Sequence, residues 1–497
     1  GGKTEYILNA CKVLKHRGPD DFGVFTNEKL NIALGHQRLS IIDLSSLGHQ
    51  PMISNDNQVV IVFNGEIYNF AELRLGLEKD GYLFKGDSDT EVLLNLYLAY
   101  GKEMLTMLNG IFAFAILDID SENLFLARDA FGVKPLYFCS ENHVFSFASE
   151  IKALLKFHSI SKELNQDALN RYLSFLWCPG DGTPFKSIKK LLPGEAIIVK
   201  NGQIQEQWTW YQLPIFRGVK ADLTEAESII GTSSYLRQAV HRQLISDVPL
   251  GAFLSGGLDS SAVVAFAREL NPDIRCFTIK TEGGQDKGFI DDLPYATKVA
   301  KHLNVSLEVV SVDSKKMADD LQSMVIQLDE PLADPASLNV RYISQLAQEN
   351  GIKVLLSGAG GDDIFTGYRR HFALKTESYW NWLPKNLRGL LENTSKNFNS
   401  NYPLQRRLKK LFDGASLSND QRLINYFRWT SDATIRSLYS SDMKEFMTQN
   451  NINSPIIDFI PNLSPSITRL DQMLAIEQRF FLADHNLNYT DKMSMSA

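Results

Sequence analysis

Residues Val248–Leu270 read VPLGAFLSGGLDSSAVVAFAREL, and this stretch decides the fold of the second half of the chain. The apolar run Val248–Leu254 predicts a buried strand, and Ser261–Leu270 has the spacing of a helix. The glycines of the SGGLDSS loop between them let backbone N–H groups approach an anion closely, and the helix N-terminus adds its positive dipole end. The loop lacks the Gly-Lys-Ser ending of Walker-type loops. It therefore predicts a phosphate site of another class, and the plainer alternative is a tight turn capped by serine.

Strands and helices alternate on both sides of this loop. Segments with helical periodicity alternate with short apolar runs. Five such segments are Glu225–Leu244, Arg275–Ile279, Leu293–Leu303, Leu307–Val312 and Lys353–Leu356. This alternation predicts a parallel sheet with right-handed crossovers, whose ligands bind beyond the carboxyl ends of the strands. After Gly367 the sequence predicts extra helices and irregular structure.

Two later clusters carry groups suited to nucleotide chemistry. Ser357–Asp363 (SGAGGDD) follows the last predicted strand, and Asp491–Ser494 (DKMS) lies near the end of the sequence. Asp259 of the first loop and Asp362 can together hold a Mg²⁺ ion on phosphates. Lys492 can neutralise pyrophosphate. Taken singly, each cluster also suits a flexible turn or a solvated lysine.

The first half, residues 1–210, predicts a layered α/β domain with mainly antiparallel strands. The predicted strands are Gln58–Phe63, Ile111–Ile119, Leu124–Ala127, Pro135–Phe138 and His143–Ala148, and the predicted helices are Glu72–Lys79 and Thr90–Leu108. Asn64-Gly65 predicts a turn. The aperiodic segment Trp208–Asp222 predicts a linker whose aromatic residues pack between this domain and a second domain, residues 223–497.

Four stretches of the first half form an ordered set: His16–Asp20 (HRGPD), His36–Asp43 (HQRLSIID), Phe63–Asn69 (FNGEIYN) and Gly86–Glu91 (GDSDTE). Together they resemble class II glutamine amidotransferase domains, which are N-terminal-nucleophile hydrolases. The resemblance covers nearly the whole half and implies αββα layers.

The resemblance implies a glutamine site made of Arg38, Asn64, Gly65, Glu66 and Asp89. An arginine fork suits the α-carboxylate of glutamine, and acidic side chains suit its α-ammonium group. The Asn64 amide and the Gly65 N–H suit a tetrahedral oxyanion. The plainer interpretation is a hairpin turn and a surface arginine.

The SGGLDSS loop and the two later clusters resemble the PP-loop synthetase domain of the asparagine synthetase B family. The resemblance implies that ATP is split to AMP and pyrophosphate and that a carboxylate is amidated through an acyl-adenylate. It implies Mg²⁺ ligands at Asp259 and Asp362 and a catalytic role for Lys492. The implied ATP-binding residues are Leu254, Ser255, Gly256, Gly257, Leu258, Asp259, Ser260, Ser261, Ser357 and Gly358.

One departure concerns the nucleophile, which in the amidotransferase family is a cysteine at the mature N-terminus activated by its own α-amine. This chain begins Gly1-Gly2-Lys3-Thr4 and runs at once into a predicted helix, within which Cys11 is a poor substitute. Either residues precede this chain or glutaminase activity has been lost. We expect the former, because the sequence also stops at Ala497, where relatives continue. No nucleophile is assigned in this numbering.

A second departure concerns the acceptor, which by default is aspartate. Ala359 stands where asparagine synthetases often carry an acid, and Asp329–Pro335 (DEPLADP) either supplies that acidity or forms a capped turn between helices. Three alternatives remain: amidation of a sugar uronic acid or a peptide side chain, ring closure as in the similar β-lactam synthetases, and a non-catalytic regulatory homologue. The intact glutamine residues argue against the second, and the intact magnesium–pyrophosphate set argues against the third.

Composition limits the remaining classes of protein. The 497 residues exceed one ordinary core, and a net charge of −7 argues against nucleic-acid binding driven by bulk charge. No apolar run is long enough to cross a bilayer, no signal peptide is recognisable, and four scattered cysteines form no disulfide or metal pattern. We therefore expect a cytoplasmic enzyme that binds glutamine, ATP and a carboxylate, without nucleic-acid or membrane partners, and a homodimer is a candidate assembly.

Overall fold

The two halves of the chain build separate sheets. The structure is a computed structural model that describes residues 2–217, 222–282, 292–399, 402–449 and 455–497. Within those residues, no strand of the first half pairs with a strand of the second. The predicted two-domain α/β fold class is confirmed.

The strands of the first half pair only in antiparallel fashion in the part of the chain that is described. They are β1 Asp21–Asn27, β2 Ile32–Arg38, β3 Met52–Ile53, β4 Val59–Ile67, β5 Gly110–Asp118, β6 Asn123–Arg128, β7 Tyr137–Glu141, β8 Val144–Ala148, β9 Lys189–Lys190, β10 Glu195–Lys200 and β11 Gln203–Thr209. The helices are α1 Gly2–Val13, α2 Phe70–Lys79, α3 Asp89–Tyr100, α4 Ile151–Leu154 and α5 Gln166–Phe175, with 3-10 turns at Lys15–Arg17, Ser46–Gly48, Gly101–Met107 and Pro214–Arg217.

These elements stack in four layers, because the apolar residues of β4 alternate between its two faces. Ile61 and Phe63 join the core under α2 and α3, whereas Val60 and Val62 join the core shared with β2 and β7. The central sheet has the order β11-β10-β6-β5-β4-β3. Behind β7, residues of α4 such as Ile151 form a further cluster, which completes an αββα arrangement.

The second half contains a parallel sheet of order β14-β13-β12-β15. Its strands are β12 Leu250–Phe253, β13 Arg275–Glu282, β14 Ser306–Asp313 and β15 Val354–Leu356. The following helices flank or extend it: α6 Glu225–Arg242, α7 Leu258–Leu270, α8 Leu293–Leu303, α9 Ser314–Leu328 and α10 Ala336–Glu349. Because β12 and β15 are neighbours and parallel, the loops after both strands meet at one edge.

Beyond this sheet the chain is helical, as predicted. The elements are α11 Gly361–Phe365, α12 Arg369–Thr376, α13 Lys385–Lys396, α14 Pro403–Leu411, α15 Asn419–Asn425, α16 Asp432–Ser437, α17 Ser441–Gln449, α18 Pro455–Phe459, α19 Arg469–Ile476, a π-helix Glu477–Leu487 and α20 Asn488–Ser494, with 3-10 turns at Glu377–Tyr379 and Ile460–Asn462. No helix of the described segments has the length and apolar character needed to cross a membrane.

Three local predictions for the first half were wrong. Asn64-Gly65 is not a turn, because β4 runs through both residues to Ile67 and pairs continuously with β5. The helix predicted to reach Leu108 ends at Tyr100, where the backbone turns at a following glycine with φ 56°. Trp208 also does not lie between the domains, because its ring stacks on a phenylalanine of the first-half core.

The rest of the predicted linker divides its contacts between the two halves. The ring of Trp210 also stacks within the first half, 5.8 Å from a core phenylalanine. Phe216, by contrast, packs edge-on against Phe459 of the second half. Residues 218–221 lie outside the described residues.

Candidate active site

The five residues predicted to bind glutamine line one cavity of about 160 Å³. Arg38 ends β2, Asn64, Gly65 and Glu66 lie on β4, and Asp89 begins α3. The fold therefore brings together residues that are up to 51 positions apart in sequence. The lining of the cavity includes both cations and carboxylates, which is the charge pattern that a zwitterionic amino acid requires.

Arg38 is buried, and the loop that follows it accepts hydrogen bonds from some of its side-chain donors. Its guanidinium donates hydrogen bonds to the backbone carbonyl oxygens of Ile42, Asp43 and Ser45. A guanidinium has five N–H donors, so these bonds leave two for a ligand. The loop fixes the orientation of the fork, and the remaining donors are suited to a carboxylate.

Asn64 offers an unused hydrogen-bond donor in the cavity. Its side-chain nitrogen is buried and has no hydrogen-bond partner among the described residues. A buried amide without a partner is costly, so its presence here indicates a ligand that accepts the bond. Beside it, a Cβ on Gly65 would lie 2.0 Å from the carbonyl oxygen of Ile111, which explains why the strand carries glycine there.

The two carboxylates of the cavity repel each other. Burial, together with the charge of Asp89, raises the pKa of Glu66 to about 7. Burial also raises the pKa of Asp89 to about 6, although that carboxylate accepts a hydrogen bond from the backbone N–H of Ile67. An ammonium group placed between the two would relieve the repulsion and hold both carboxylates in their charged form.

None of the four cysteines has the properties of an activated nucleophile. All four are buried, and burial raises the pKa of Cys11 to about 11. Cys11 lies on α1 and lines a second cavity of about 680 Å³ between β2 and β8. Across the described residues, the edges of β2 and β8 that border this cavity pair with no other strand. The expectation that Cys11 is a poor nucleophile agrees with its burial.

The glycine loop of the second half has the predicted strand–loop–helix setting. The backbone N–H of Leu254 extends the sheet by donating to the Phe277 carbonyl. Gly256 has φ +79°, and a Cβ there would lie 2.4 Å from the backbone of α8, so the turn requires glycine. α7 begins at Leu258, and the Ser261 hydroxyl donates to the Gly257 carbonyl oxygen.

The second glycine cluster packs directly against this loop. A Cβ on Gly358 would lie 2.7 Å from the backbone nitrogen of Ser260, and one on Gly361 would lie 2.2 Å from the carboxyl carbon of Asp259. Burial, and then the charge of Asp362, raises the pKa of Asp259. The two candidate magnesium ligands therefore lie close enough for their charges to interact.

This pair of carboxylates fits a magnesium ion held jointly with a nucleotide. No group of three or more metal-ligating side chains occurs among the described residues. Mg²⁺ in nucleotide enzymes is commonly held by one or two carboxylates plus substrate phosphates, so a pair of acids at a glycine loop is the expected donor set. The ion would balance the repulsion that raises the pKa of Asp259.

Comparison with known proteins agrees with this arrangement of two sites. A model described as a glutamine amidotransferase domain matches residues 2–211, and one described as asparagine synthase matches residues 232–497. The chain belongs to the asparagine synthase family. A Bacillus subtilis relative named asparagine synthetase [glutamine-hydrolyzing] 1 is 36% identical over 74% of this chain and 56% of its own length.

Two further relatives extend the comparison. A Methanocaldococcus jannaschii protein named putative asparagine synthetase [glutamine-hydrolyzing] 2 is 34% identical over 77% of this chain and 76% of its own length. A Penicillium rubens protein named amidase chyE is 33% identical over 73% of this chain and 55% of its own length. The chain thus spans little more than half the length of two of these three relatives.

The structure places Lys492 at the boundary between the two halves, where its side chain is fully buried. Its ammonium donates to the Tyr137 hydroxyl at 2.8 Å and the Leu328 carbonyl oxygen at 2.7 Å, and lies 3.5 Å from Glu330. These three contacts use its three donors and favour a structural role, so the catalytic role expected for Lys492 stays a prediction.

The carboxylates of the acidic segment Asp329–Pro335 are engaged in hydrogen bonds. Asp329 accepts a hydrogen bond from the backbone N–H of Lys152 at 2.9 Å, and Glu330 accepts one from the Tyr137 hydroxyl. Asp334 caps the start of α10. These contacts favour the interpretation of a capped turn at the domain interface over a source of acidity for the acceptor.

Sequence reasoning missed three groups beside the glutamine cavity. Arg17, Lys134 and Met495 line it, and Asp491 bonds to both cations at 2.7 and 3.0 Å. Arg17 belongs to the HRGPD stretch and Asp491 to the DKMS cluster, so both lay in recognised motifs. Their pairing across more than 470 residues leaves no local signal in one sequence.

Proposed function

We propose that this chain is a glutamine- and ATP-dependent amidating enzyme that converts aspartate to asparagine. Residues 1–210 form the glutaminase domain and residues 223–497 form the synthetase domain. The contact between the two glycine clusters carries the proposal, because it sets Asp259 beside Asp362 at the carboxyl edge of a parallel sheet. That edge is where such sheets bind nucleotides.

We infer a two-step synthetase reaction, which this geometry supports. The acceptor carboxylate attacks the α-phosphorus of ATP, the bond to the β-phosphate oxygen breaks, and pyrophosphate leaves. The N–H groups of residues 258–260, at the positive end of α7, bind the phosphates. Asp259 and Asp362 would hold a magnesium ion, which neutralises charge on the pyrophosphate. Ammonia then attacks the acyl-adenylate, giving an amide and AMP.

The glutaminase reaction uses the cavity of the first domain. Arg38 binds the α-carboxylate of glutamine, and Glu66 and Asp89 bind its α-ammonium. The Asn64 amide and the Gly65 N–H stabilise the oxyanion formed on the side-chain carbonyl. The nucleophile must be supplied to this site, and an extended segment carrying it fits the groove between β2 and β8, because both strands offer open edges there.

A second candidate is amidation of another carboxylate, such as a sugar uronic acid or a peptide side chain. Ala359 can neither take up a proton nor bind an ammonium group, and the acids of residues 329–334 are engaged in other hydrogen bonds. One relative at 33% identity is named an amidase rather than an asparagine synthetase. These observations bear only on the acceptor and leave the ATP chemistry unchanged.

Pyrophosphate release from MgATP tests the proposal, measured with aspartate and either glutamine or ammonium chloride. Asp259→Asn should lower the rate on the order of a hundredfold, because it removes a group that stabilises transition-state charge. Asp273→Asn changes an exposed aspartate of the same domain and should retain the wild-type rate.

Each outcome of this assay has a distinct meaning. Asparagine formed with both nitrogen sources establishes the proposed function. Release that requires a different carboxylate selects the second candidate, and activity with ammonia alone shows that this chain does not hydrolyse glutamine. An Asp259→Asn variant as fast as the wild type would remove the proposed nucleotide site.

A further inference from the structure

One unbroken run of helix connects the two candidate sites. It consists of α19, the π-helix Glu477–Leu487 and α20, and reaches from Arg469 to Ser494. The π-helical part is eleven residues long. π-helical turns are rare and occur frequently at functional sites, because they aim side chains that an α-helix would turn away.

Two side chains of the π-helix bond to Asp363, which belongs to the second glycine cluster. Asn486 donates from its side-chain nitrogen to Asp363 at 3.2 Å and to the Tyr368 hydroxyl at 3.0 Å. Gln478 donates to the carbonyl oxygen of Asp363 at 3.3 Å. Asp363 follows Asp362 directly, so the position of the candidate magnesium ligand depends on this helix.

The other oxygen of Asp363 is not satisfied. Asp363 is fully buried, and its Oδ1 has no hydrogen-bond partner among the described residues. The π-helix therefore supplies a side-chain contact of one carboxylate oxygen of Asp363, directly beside the candidate magnesium ligand Asp362.

The far end of the same helix sets the walls of the glutamine cavity. Asp491 on α20 is buried and accepts hydrogen bonds from Arg17 at 2.7 Å and from Lys134 at 3.0 Å. Both cations line the cavity, as does Met495 just beyond the helix. The second half of the chain thus contributes part of the glutamine site.

We propose that the helix Glu477–Ser494 couples nucleotide binding to glutamine binding, with Asp491 as the positioning residue at the glutamine end and Asn486 as its counterpart at the nucleotide end. The inference rests on the proposed function of the two sites. A helix packed along its length moves as a unit, and a shift of the helix by one residue along its axis displaces it by about 1.5 Å. Such a shift would break the contacts of Asp491 with Arg17 and Lys134.

Coupling between two ligands is the factor by which one ligand changes the affinity of the protein for the other. The second ligand must change the affinity for the first by the same factor. The experiment titrates glutamine into the full chain by calorimetry, with and without α,β-methylene-ATP and magnesium. In the wild type we expect the nucleotide analogue to change the glutamine Kd by about fivefold or more, the lower end of common coupling. In Asp491→Asn and in Asn486→Leu, the change should fall below about twofold.

Glu377→Gln is the matched control. Glu377 is also a buried carboxylate of the second half, and its bonding partners Arg422 and Tyr426 lie outside the helix Glu477–Ser494. Its variant should keep the wild-type ratio. A merely structural role for Asp491 would lower thermal stability equally with and without nucleotide and would leave the ratio of glutamine affinities unchanged.

The outcomes separate this inference from the function on which it rests. If both ligands bind the wild type but do not affect each other, or if Asp491→Asn keeps the full ratio, the coupling role is overturned while the two sites stand. If either ligand fails to bind the wild type, the proposed function itself falls. Should Asp491→Asn not fold, Asn486→Leu at the opposite end decides the question.

Discussion

Replacing Lys492 by methionine separates the two roles that this residue has been given. The change keeps the length of the side chain and removes a charge that is fully buried and bonded to Tyr137, Leu328 and Glu330. Losing one partner of a buried ion pair costs about 3–5 kcal/mol, because the other charge is left uncompensated. Glu330 keeps its contact with Lys190 at 3.5 Å, so we expect the lower end, about 3 kcal/mol.

That loss is large enough to measure as a fall in melting temperature. Each kcal/mol lowers Tm by about 2–4 °C in domains of 150–250 residues, so the fall should be about 6–12 °C. Differential scanning calorimetry measures it, and pyrophosphate release at a temperature well below the transition is measured in parallel. Lys301→Met, which changes an exposed lysine on α8, should leave both unchanged.

The double variant Lys492→Met/Glu330→Gln sharpens the test. Glu330→Gln removes the carboxylate that the first change leaves behind, so the double variant should lose less stability than the sum of the two single variants. The reasoning is refuted if Lys492→Met melts within about 1 °C of the wild type but loses pyrophosphate release, because that pattern belongs to a residue that binds the nucleotide.

Three further results are expected in the first domain. Glutamine binding should weaken as pH falls through about 7 and then about 6, because protonation of Glu66 and Asp89 removes the charges that attract the α-ammonium group of glutamine. Calorimetry across that pH range measures the Kd for glutamine, and a constant Kd would contradict the prediction. Gly65→Ala should weaken glutamine binding about tenfold or more, since its Cβ meets backbone, whereas Gly76→Ala on α2 meets nothing within 4 Å and should retain the wild-type Kd. Cys11→Ser should leave glutamate formation from glutamine unchanged, and a loss of that activity would make Cys11 the nucleophile.

Local motifs were predictable because their chemistry and their structure come from the same few residues. The loop Ser255–Ser261 encodes its own strand end, turn and helix start, and Gly256 adopts a conformation that favours glycine. The FNGEIYN stretch likewise contains three of the five residues predicted to bind glutamine, and all three line the cavity. In both cases the spacing along the sequence already fixes the spacing in the fold.

Predictions from sequence were weakest where long-range packing decides the structure. Asn64-Gly65 has the composition of a hairpin turn, yet pairing with β5 on one side keeps both residues in the strand. The motif around Lys492 suggests a catalytic lysine. No local sequence pattern shows that Tyr137, 355 positions earlier, accepts its hydrogen bond. Propensity and motif context are local, whereas burial is set by the whole fold.

Lys492 and the segment Asp329–Pro335 both contribute to the boundary between the two halves. Lys190 and Lys492 meet Glu330 and Asp484 there, so two positive and two negative side chains balance in a nearly dry environment. Buried pairs of this kind add little net stability compared with apolar packing, but they tolerate only one relative orientation of their partners. On the proposed function, ammonia passes from one domain to an acyl-adenylate in the other, and that transfer needs a fixed orientation of the domains. We therefore propose that the ionic boundary serves registration of the two sites more than stability, and exchanging its residues should change the coupling between the sites as well as Tm.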